Sequence, residues 1–396
     1  MFSHLQPAAA DPILGLMATY REDPRDHKID LGVGVYRDES GATPIMRAVK
    51  KAEAARLAED NTKTYLGMAG DPQFNARIDA LTLGDHPVRR DGRIFTAHTP
   101  GGTGALRVAA DLLKRARPEA TVWMSDPTWG NHPSVFKAAG LKIADYPYYD
   151  GKTQGLRADA MLDALSKVPA GDVVLLHASC HNPSGVDIPA ELWPKIAELA
   201  EKQGFMPLVD MAYQGFADGL DADALGPRLL AERLPEMLLC SSCSKNFALY
   251  RERIGSISLI GESAEATQTA SSVMLSTIRN IYSMPPAHGA AIVARILGTP
   301  ELRAEWLAEL EHMRGRINGI RQQASTQLAA AGVQGDFSFI ARQRGMFSFL
   351  GISPEQVTSL REQHAVYLVT SSRVNIAGLN EDNLPRFVAA MKAVLG

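Results

Sequence analysis

The chain alternates continuous apolar runs with amphipathic stretches over most of its length. Strands are predicted at 121–125, 142–146, 172–177, 206–210, 237–241 and 255–260. The runs at 172–177 and 206–210 are largely apolar, which is typical of strands covered on both faces of a sheet. Helices are predicted between the strands at about 133–139, 158–166 and 191–203. Such alternation indicates an α/β domain with a mainly parallel sheet.

The two ends of the chain have different patterns. Residues 1–12 are polar and rich in Pro and Ala, which predicts an arm, and Asp11 and Pro12 suit the N-cap and first position of a helix. The other predicted elements are a strand at 28–36, a helix at about 46–59, a long amphipathic helix at 302–331 capped by Gly332, a helix at 354–364 and a strand at 366–370. The C-terminal part therefore predicts a compact α+β unit.

At 396 residues, the chain is long enough for two or three domains. We predict an N-terminal arm at 1–12, part of a small domain at 13–44, a large domain at 45–310 and the rest of the small domain at 311–396. The long helix is expected to bridge the two domains.

Charge and composition exclude several classes of protein. Lys plus Arg number 41 and Asp plus Glu 44, a net charge of −3, so we expect no nucleic-acid or membrane partner. No Lys or Arg precedes Arg21, which argues against a secretory signal, and no apolar run is long enough to span a membrane. The three cysteines do not form a disulfide framework. These features predict a cytoplasmic protein.

The segment CSSCSKNFALYRERIGS, residues 240–256, carries the most specific chemistry. Lys245 stands among hydroxyl and thiol residues with little nearby carboxylate, so burial would make it the weak base that a Schiff-base lysine must be. Arg253 follows, and a guanidinium is the preferred bidentate partner of a phosphate. A lysine for an aldehyde and an arginine for a phosphate outline a pyridoxal phosphate (PLP) site. Taken alone, Lys245 also fits a solvated surface lysine.

Other candidate residues follow predicted strands or begin helices. Ligands of α/β sheets bind beyond the carboxyl ends of the strands. Five residues lie at such an end or a few positions past it: Trp129, Asn182, Asp210, Tyr213 and Lys245. The glycine turn at 99–104 runs directly into a helix, whose N-terminus suits an anion. It matches neither the GxxxxGK[ST] nor the GxGxxG nucleotide fingerprint.

Two alternative sites have weaker support. Cys240 and Cys243 form a CxxC pair, but no second CxxC follows for zinc, and the βα context of a thioredoxin-like motif is missing. His177 and His181 flank Cys180, but no acidic or second cysteine ligand is in place. We therefore expect no metal.

Four motifs occur in order along the chain: DPTWGNH, HASCHNPSGVD, DMAYQGF and SSCSKNFALYRERIG. With them the chain resembles, nearly end to end, the fold-type-I PLP aminotransferases, in particular the aspartate/aromatic aminotransferase subfamily. The resemblance implies a large PLP-binding domain with a mainly parallel seven-stranded sheet flanked by helices, and a smaller α+β domain. It also implies a homodimer with shared active sites.

The resemblance gives each candidate residue a role. Lys245 would carry the cofactor and move protons, and Asp210 would keep the pyridinium nitrogen protonated. Asn182 and Tyr213 would hydrogen-bond the phenolic oxygen of the ring, and Trp129 would stack on it. The implied catalytic residues are Lys245, Asp210 and Tyr213.

The remaining implied roles concern the phosphate and the substrate. The phosphate would be held by Gly102, Thr103, Ser242, Ser244, Arg253 and, from the neighbouring subunit, Tyr65. The substrate would be bound by Gly34, Trp129, Asn182, Arg279 and Arg373. In this scheme Arg373 clamps the α-carboxylate, and Arg279 crosses the dimer interface to bind a side-chain carboxylate.

The implied activity is ping-pong transfer of an amino group between aromatic or dicarboxylic L-amino acids (phenylalanine, tyrosine, tryptophan, aspartate, glutamate) and 2-oxoglutarate or oxaloacetate. Thr64 and Met284 stand where strict aspartate enzymes usually carry asparagine, which favours a broader pocket that admits aromatic side chains. The alternatives are a strict aspartate aminotransferase and, on the same fold, a PLP lyase or decarboxylase. A regulator with an aminotransferase-like domain would need a DNA-binding extension, which we do not expect because the family pattern begins by residue 11.

Overall fold

The computed structural model of the chain describes residues 2–7 and 12–396. Residue 1 and residues 8–11 of the predicted arm, with the predicted N-cap, lie outside the described residues. Residues 2–4 form a single 3-10 turn, and the first helix begins at Pro12 as predicted.

Helices and strands alternate through the described chain. The α-helices are α1 (Pro12–Glu22), α2 (Arg47–Glu59), α3 (Pro72–Leu83), α4 (Pro87–Arg90), α5 (Gly101–Ala116), α6 (His132–Ala138), α7 (Ala158–Leu165), α8 (Trp193–Gln203), α9 (Leu220–Asp223), α10 (Leu225–Arg233), α11 (Ala264–Ile281), α12 (Ala287–Gly298), α13 (Pro300–Ala330), α14 (Phe339–Arg342), α15 (Pro354–His364) and α16 (Leu384–Leu395). The strands are β1 (Ile29–Asp30), β2 (Ile94–Pro100), β3 (Thr121–Asp126), β4 (Lys142–Pro147), β5 (Tyr149–Asp150), β6 (Gly155–Leu156), β7 (Val173–His177), β8 (Met206–Met211), β9 (Met237–Ser242), β10 (Ile254–Ile260), β11 (Phe347–Phe349), β12 (Val366–Tyr367) and β13 (Arg373–Asn375). Among residues 2–7 and 12–396, no helix is both long and apolar enough to cross a membrane.

Seven strands form one central sheet in the order β2-β10-β9-β8-β7-β3-β4. The neighbours from β9 to β4 are parallel, while β10 runs antiparallel to both β9 and β2. Leu175 and Leu208 pack in a core with α5, whereas Val174 and Val209 pack on the other face with α8. Cover on both faces explains the continuous apolar strands, and the predicted mainly parallel sheet is confirmed.

Strand β10 separates β2 from β9 in the sheet, and the direction of β2 sets the edge at which α5 begins. Since β2 is also antiparallel to β10, it runs in the same direction as β9, and its last residue, Pro100, pairs with Ile254. Helix α5 starts directly after β2, at Gly101. The amino end of α5 and the carboxyl ends of β7, β8 and β9 therefore meet at one edge of the sheet.

A second, smaller core is built from both ends of the chain. Strand β1 pairs in parallel with β12, and β11 pairs antiparallel with β13. Ile29 and Leu31 pack there with residues of α15 and α16. Along α13, Ile317 packs in the core that includes α2 and α12, whereas Ile320 and Leu328 pack in the smaller core. The long helix therefore joins the two cores, while the domain boundaries themselves stay a prediction.

Two predicted strands are much shorter than expected. In segment 28–36 only β1 is a strand, because the Gly32 N–H donates to the Asp30 carboxylate at 3.0 Å and turns the backbone away. The Asn375 side chain then donates hydrogen bonds to the Val33 and Val35 carbonyls, so this part of the segment bonds to a side chain and not to a neighbouring strand. The predicted strand at 366–370 is reduced to β12.

Five longer elements, β2, α3, α10, α11 and α12, were not predicted. Helix α11 shows the reason, because its buried face includes Thr267, Ser271 and Thr277. Their hydroxyls donate to carbonyls one turn earlier, at 2.8, 2.8 and 2.9 Å, so they pack without an unpaired polar group. A face with these residues has no clear apolar period in the sequence.

Candidate active site

The sheet edge where β7, β8 and β9 end opens into a cleft of about 260 Å³. Its lining residues are Ile13, Gly34, Gly102, Thr103, Leu106, Trp129, His177, Ser179, Asn182, Asp210, Ala212, Tyr213, Ser242, Ser244, Lys245, Arg253, Phe347 and Arg373. Every residue predicted for the site is among them, except Tyr65 and Arg279. Sequence analysis missed the apolar lining residues Ile13, Leu106 and Phe347, whose side chains give no chemical signal.

Lys245 lies in a turn just past β9, closed by a hydrogen bond from the Ala248 N–H to its carbonyl at 3.0 Å. Burial lowers the pKa of Lys245 to about 8, the Asp210 charge opposes this effect, and the Arg253 charge adds to it. Its Nζ lies 4.9 Å from the centre of the Tyr213 ring. The expectation of little carboxylate near Lys245 was wrong, since the Asp210 charge raises the pKa of Lys245. Burial lowers this pKa by more than Asp210 raises it. The amine is thus more often neutral than that of an ordinary lysine, which suits attack on an aldehyde.

Asp210, near the end of β8, is kept ionised although it is buried. Its Oδ2 accepts a hydrogen bond from His132 Nε2 at 3.1 Å. Burial alone would raise the pKa of Asp210, but the His132 hydrogen bond and nearby positive charge, including that of Lys245, hold this pKa below its ordinary value. An ionised carboxylate in a buried site is what the protonated nitrogen of a pyridine ring requires as its partner.

Hydrogen bonds continue from His132 to the far side of the cleft. His132 Nδ1 lies 2.7 Å from Thr128 Oγ1, which lies 3.5 Å from His177 Nε2. The Asn182 N–H donates to His177 Nδ1 at 3.3 Å, and burial lowers the pKa of His177 to about 3, so this ring is neutral. These contacts link Asp210 to the backbone of Asn182. Sequence analysis missed His132, although its position in the DPTWGNH motif was a usable signal.

The histidines and cysteines that the sequence analysis considered for metal binding or redox chemistry are packed and hydrogen-bonded within the fold. His181 pairs with the hydroxyls of Ser125 and Ser184 at 3.0 and 2.8 Å, and it stacks on His177 with ring centres 4.3 Å apart. Within the described ranges, no group of three His, Cys, Asp or Glu side chains is arranged to hold a metal ion. The thiols of the CxxC pair are buried, and burial raises the pKa of both, which makes them poor nucleophiles.

The amino end of α5 and the turn after β9 form a cradle for an anion. The hydroxyls of Ser242 and Ser244 are 3.1 Å apart, and Arg253 Nη1 lies 3.5 Å from Ser244 Oγ. Gly101 has a φ of +75°, and a Cβ there would lie 2.5 Å from Arg253 Nη2. A Cβ on Gly102 would lie only 3.1 Å from Ser242 Cβ. Helix N–H groups, two hydroxyls and a guanidinium together fit a phosphate.

Arg373 approaches the cleft from the smaller core, on β13. It is 7% exposed, and it donates to the Gly32 carbonyl at 2.8 Å and to Asn182 Oδ1 at 3.4 Å. Its guanidinium lies over the Phe347 ring, 4.5 Å from the ring centre. A Cβ on Gly34 would lie 2.7 Å from Phe347 Cζ, so a side chain there would displace the ring that supports Arg373. The arginine is therefore held ready for a carboxylate.

Two aromatic residues complete the lining. Trp129, just past β3, packs edge-on against His132 with ring centres 5.2 Å apart. Tyr213, just past β8, packs edge-on against Phe347 at 6.1 Å. Burial raises the pKa of Tyr213, so its hydroxyl stays protonated and can donate a hydrogen bond.

Tyr65 and Arg279 lie outside the cleft of their own chain. Tyr65 is 92% exposed in the loop before α3. Arg279, near the end of α11, is exposed and donates through Nη1 to the Ser283 hydroxyl. Their positions are compatible with contact to a second copy of the chain, and their roles stay a prediction.

A larger cleft, of about 460 Å³, lies between the loop around Asp187 and residues 339–344. It shares Ser179 with the smaller cleft. The described residues that line it include no lysine, so it offers no amine to an aldehyde. We therefore place the candidate active site in the smaller cleft.

Known proteins are similar to this chain over its whole length. Residues 26–391 match the family described as aminotransferase class I and II. The chain is 50% identical over 396 residues to an aspartate aminotransferase of Salmonella typhi, with 100% of both covered. It is 47% identical over 394 residues to an aromatic-amino-acid aminotransferase of Pseudomonas aeruginosa, with 99% of this chain and 98% of the relative covered.

Solved structures agree with the sequence relatives. The fold matches a crystal structure of an aromatic-amino-acid aminotransferase from Burkholderia pseudomallei covalently bound to pyridoxal phosphate, with a TM-score of 0.98, 44% identity and 100% of both chains covered. The chain therefore belongs to the class I and II aminotransferases.

Proposed function

We propose that the protein is a PLP-dependent transaminase that moves the amino group between aromatic or dicarboxylic L-amino acids and 2-oxoglutarate or oxaloacetate. One observation carries the proposal: a single cleft holds a buried lysine with a pKa of about 8, a buried ionised aspartate and a cradle for an anion. These three features match the aldehyde, the ring nitrogen and the phosphate of PLP.

The residues that would hold the cofactor fall into three groups. The phosphate would be bound by Gly102, Thr103, Ser242, Ser244 and Arg253, with Tyr65 of the second subunit. Asp210 would face the ring nitrogen, Asn182 and Tyr213 the phenolic oxygen, and Trp129 the face of the ring. When bound, PLP supplies an electron sink that stabilises negative charge at the substrate α-carbon.

The chain supplies the proton transfers and the orientation of the substrate. The Lys245 amine acts as general base at the substrate α-carbon and returns the proton as general acid, for which a pKa near the working pH is favourable. Asp210 stays ionised because His132 donates to it. Arg373 binds the α-carboxylate through a charge-assisted pair and so fixes the orientation of the α-carbon.

The substrate class follows from two kinds of residue. Arg279 of the second subunit would bind the side-chain carboxylate of aspartate, glutamate or a dicarboxylic oxo acid. Ile13, Leu106 and Phe347 supply apolar lining that suits an aromatic ring. Met284, in place of a polar residue, would leave Arg279 freer to move aside.

We further propose a homodimer with shared active sites, located in the cytoplasm. Exposed apolar side chains support the dimer: Phe2, Leu5 and Leu57 are 79%, 70% and 85% exposed in the single chain. Size-exclusion chromatography with light scattering tests the dimer, and a monomer at micromolar concentration would contradict it. Cell fractionation tests the location.

A substrate panel tests the activity itself. The purified holoenzyme is mixed with aspartate, glutamate, phenylalanine or tyrosine, and the half-reaction is followed by the absorbance of the cofactor. We expect conversion to the amine form of the cofactor and release of the matching oxo acid, and none with Lys245→Ala. Release of carbon dioxide or of free ammonia would instead favour a decarboxylase or a lyase, and reaction with aspartate and glutamate alone would favour a strict aspartate enzyme.

A further inference from the structure

Tyr65 and Arg279 sit on separate segments that meet at one point. Tyr65 precedes Gly70 by five residues, and Arg279 precedes Pro285 by six. Gly70 lies between two side chains, because a Cβ on it would be 2.6 Å from His98 Cβ and 2.9 Å from Pro285 Cγ. The two segments therefore contact each other at Gly70, against strand β2.

Hydrogen bonds fix the same point. The Ala69 carbonyl accepts from the His98 N–H at 2.9 Å and from Asn75 Nδ2 at 2.9 Å. The Gly70 N–H donates to the Gly67 carbonyl at 2.9 Å. His98 is fully buried and Asn75 is 9% exposed, so water competes little for these bonds.

Gly70 is required here for two independent reasons. Its φ of +77° lies in the left-handed region, which disfavours any residue with a Cβ. In addition, both neighbours of a Cβ would be closer than 3.0 Å, so His98 or Pro285 would have to move.

We propose that Ala69, Gly70, Asn75, His98 and Pro285, here called the loop anchor, position Tyr65 and Arg279 for the active site of the second subunit. Gly70 is the key positioning residue, since a side chain there shifts both segments at once. The inference rests on the proposed sharing of active sites. No residue of the loop anchor is among the described residues that line the cleft of its own chain, and the proposal therefore expects the main effect on the other subunit.

The first test compares Gly70→Ala with a matched glycine. Gly41 has a φ of +78° and no atom within 4 Å of a Cβ, so Gly41→Ala imposes the same backbone strain without a collision. We expect Gly70→Ala to lower kcat/KM for aspartate by about tenfold or more, as small misplacements of binding groups do, and Gly41→Ala to change it by less than about twofold. Asn75→Ala, which removes one donor to Ala69, is the second variant if Gly70→Ala does not fold. Equal effects of the residue 41 and residue 70 variants would overturn the inference.

The second test determines which subunit's active site loses activity when Gly70 is replaced. Mixed dimers are purified with two affinity tags, and Lys245→Ala silences one subunit. When Gly70→Ala shares the silenced subunit, the live site receives the altered segments, and we expect the loss of about tenfold or more. When Gly70→Ala is on the live subunit, that site receives intact segments, and activity should equal that of the dimer with Lys245→Ala alone.

Arg279→Ala, placed in the same two arrangements, separates the two levels of the argument. If Arg279→Ala harms only the site of its own subunit, sharing of active sites is wrong. If Arg279→Ala acts on the other subunit but Gly70→Ala lowers activity equally in both arrangements, sharing stands and the loop-anchor inference is wrong.

Discussion

Replacement of Arg373 tests how the substrate is held. The structure fixes this guanidinium in three ways: it donates to the Gly32 carbonyl at 2.8 Å and to Asn182 Oδ1 at 3.4 Å, and it lies over the Phe347 ring. At 7% exposure, a carboxylate bound to it forms a buried charge pair. Removing one partner of such a pair costs about 3–5 kcal/mol. For Arg373→Ala this corresponds to a loss of roughly two to nearly four orders of magnitude in kcat/KM.

The loss should be the same for every amino acid substrate, because each one presents an α-carboxylate. Arg373→Lys keeps the charge but loses the bidentate geometry of the guanidinium. We therefore expect a smaller loss of transition-state stabilisation, about 1.5–3 kcal/mol, the value of one charge-assisted hydrogen bond. The assay is kcat/KM of the aspartate and phenylalanine half-reactions, followed by cofactor absorbance. Cofactor content and melting temperature serve as controls for folding.

Arg279→Ala is the matched comparison. In the proposed dimer the second subunit covers Arg279, so its replacement should lower kcat/KM for aspartate by the equivalent of about 3–5 kcal/mol, the cost of breaking a buried charge pair. The phenylalanine reaction should change much less, because phenylalanine has no side-chain carboxylate. If Arg373→Ala leaves the phenylalanine reaction nearly unchanged, this arginine does not hold the α-carboxylate. If Arg279→Ala lowers both reactions by the same factor, Arg279 is structural and dual specificity has another cause.

Three further predictions concern the buried groups. Asp210→Asn should keep the cofactor bound but cost about 3 kcal/mol or more in the transamination barrier, measured in single turnovers; near wild-type turnover would refute the role of Asp210. His132→Ala removes the hydrogen bond that holds the pKa of Asp210 low, so that pKa rises and the acid limb of the rate profile moves to higher pH; an unchanged limb would contradict the link. In cofactor-free protein, attachment of PLP needs a neutral amine, so its rate should rise with pH through about 8, the lowered pKa of Lys245; a rise only near the ordinary value of 10.5 would contradict this.

The sheet and the polar residues of the site could be predicted because both leave local signals. Continuous apolar runs marked β7 and β8. Asp210, near the end of β8, and Lys245, just past β9, meet because parallel strands end at one edge of the sheet. The prediction of a strand at 28–36 failed because the Asp30 side chain accepts a hydrogen bond from the Gly32 N–H and so turns the backbone, which the apolar pattern does not show.

Residues whose role depends on distant partners are harder to predict, because no local pattern of apolar and polar residues shows that role. His132 matters because it donates to Asp210, which is 78 residues away in the chain. Phe347 reaches the cleft only because the smaller core brings β11 and β13 beside the sheet edge. Helix α11 buries serine and threonine residues, which a pattern of apolar and polar positions predicts to be exposed. The boundaries of the domains stay a prediction for the same reason, since the smaller core combines both ends of the chain.

The attachment of the cofactor to Lys245 is the central claim, and peptide mapping tests it most directly. The holoenzyme is reduced with borohydride, digested and analysed by mass spectrometry, with Lys245→Ala as the control. We predict a yellow protein in which one lysine, Lys245, carries the pyridoxyl group, because its buried amine faces the ring partner Asp210 and the anion cradle. Label on a different lysine, or no label in a protein that has been supplied with PLP, would contradict the account.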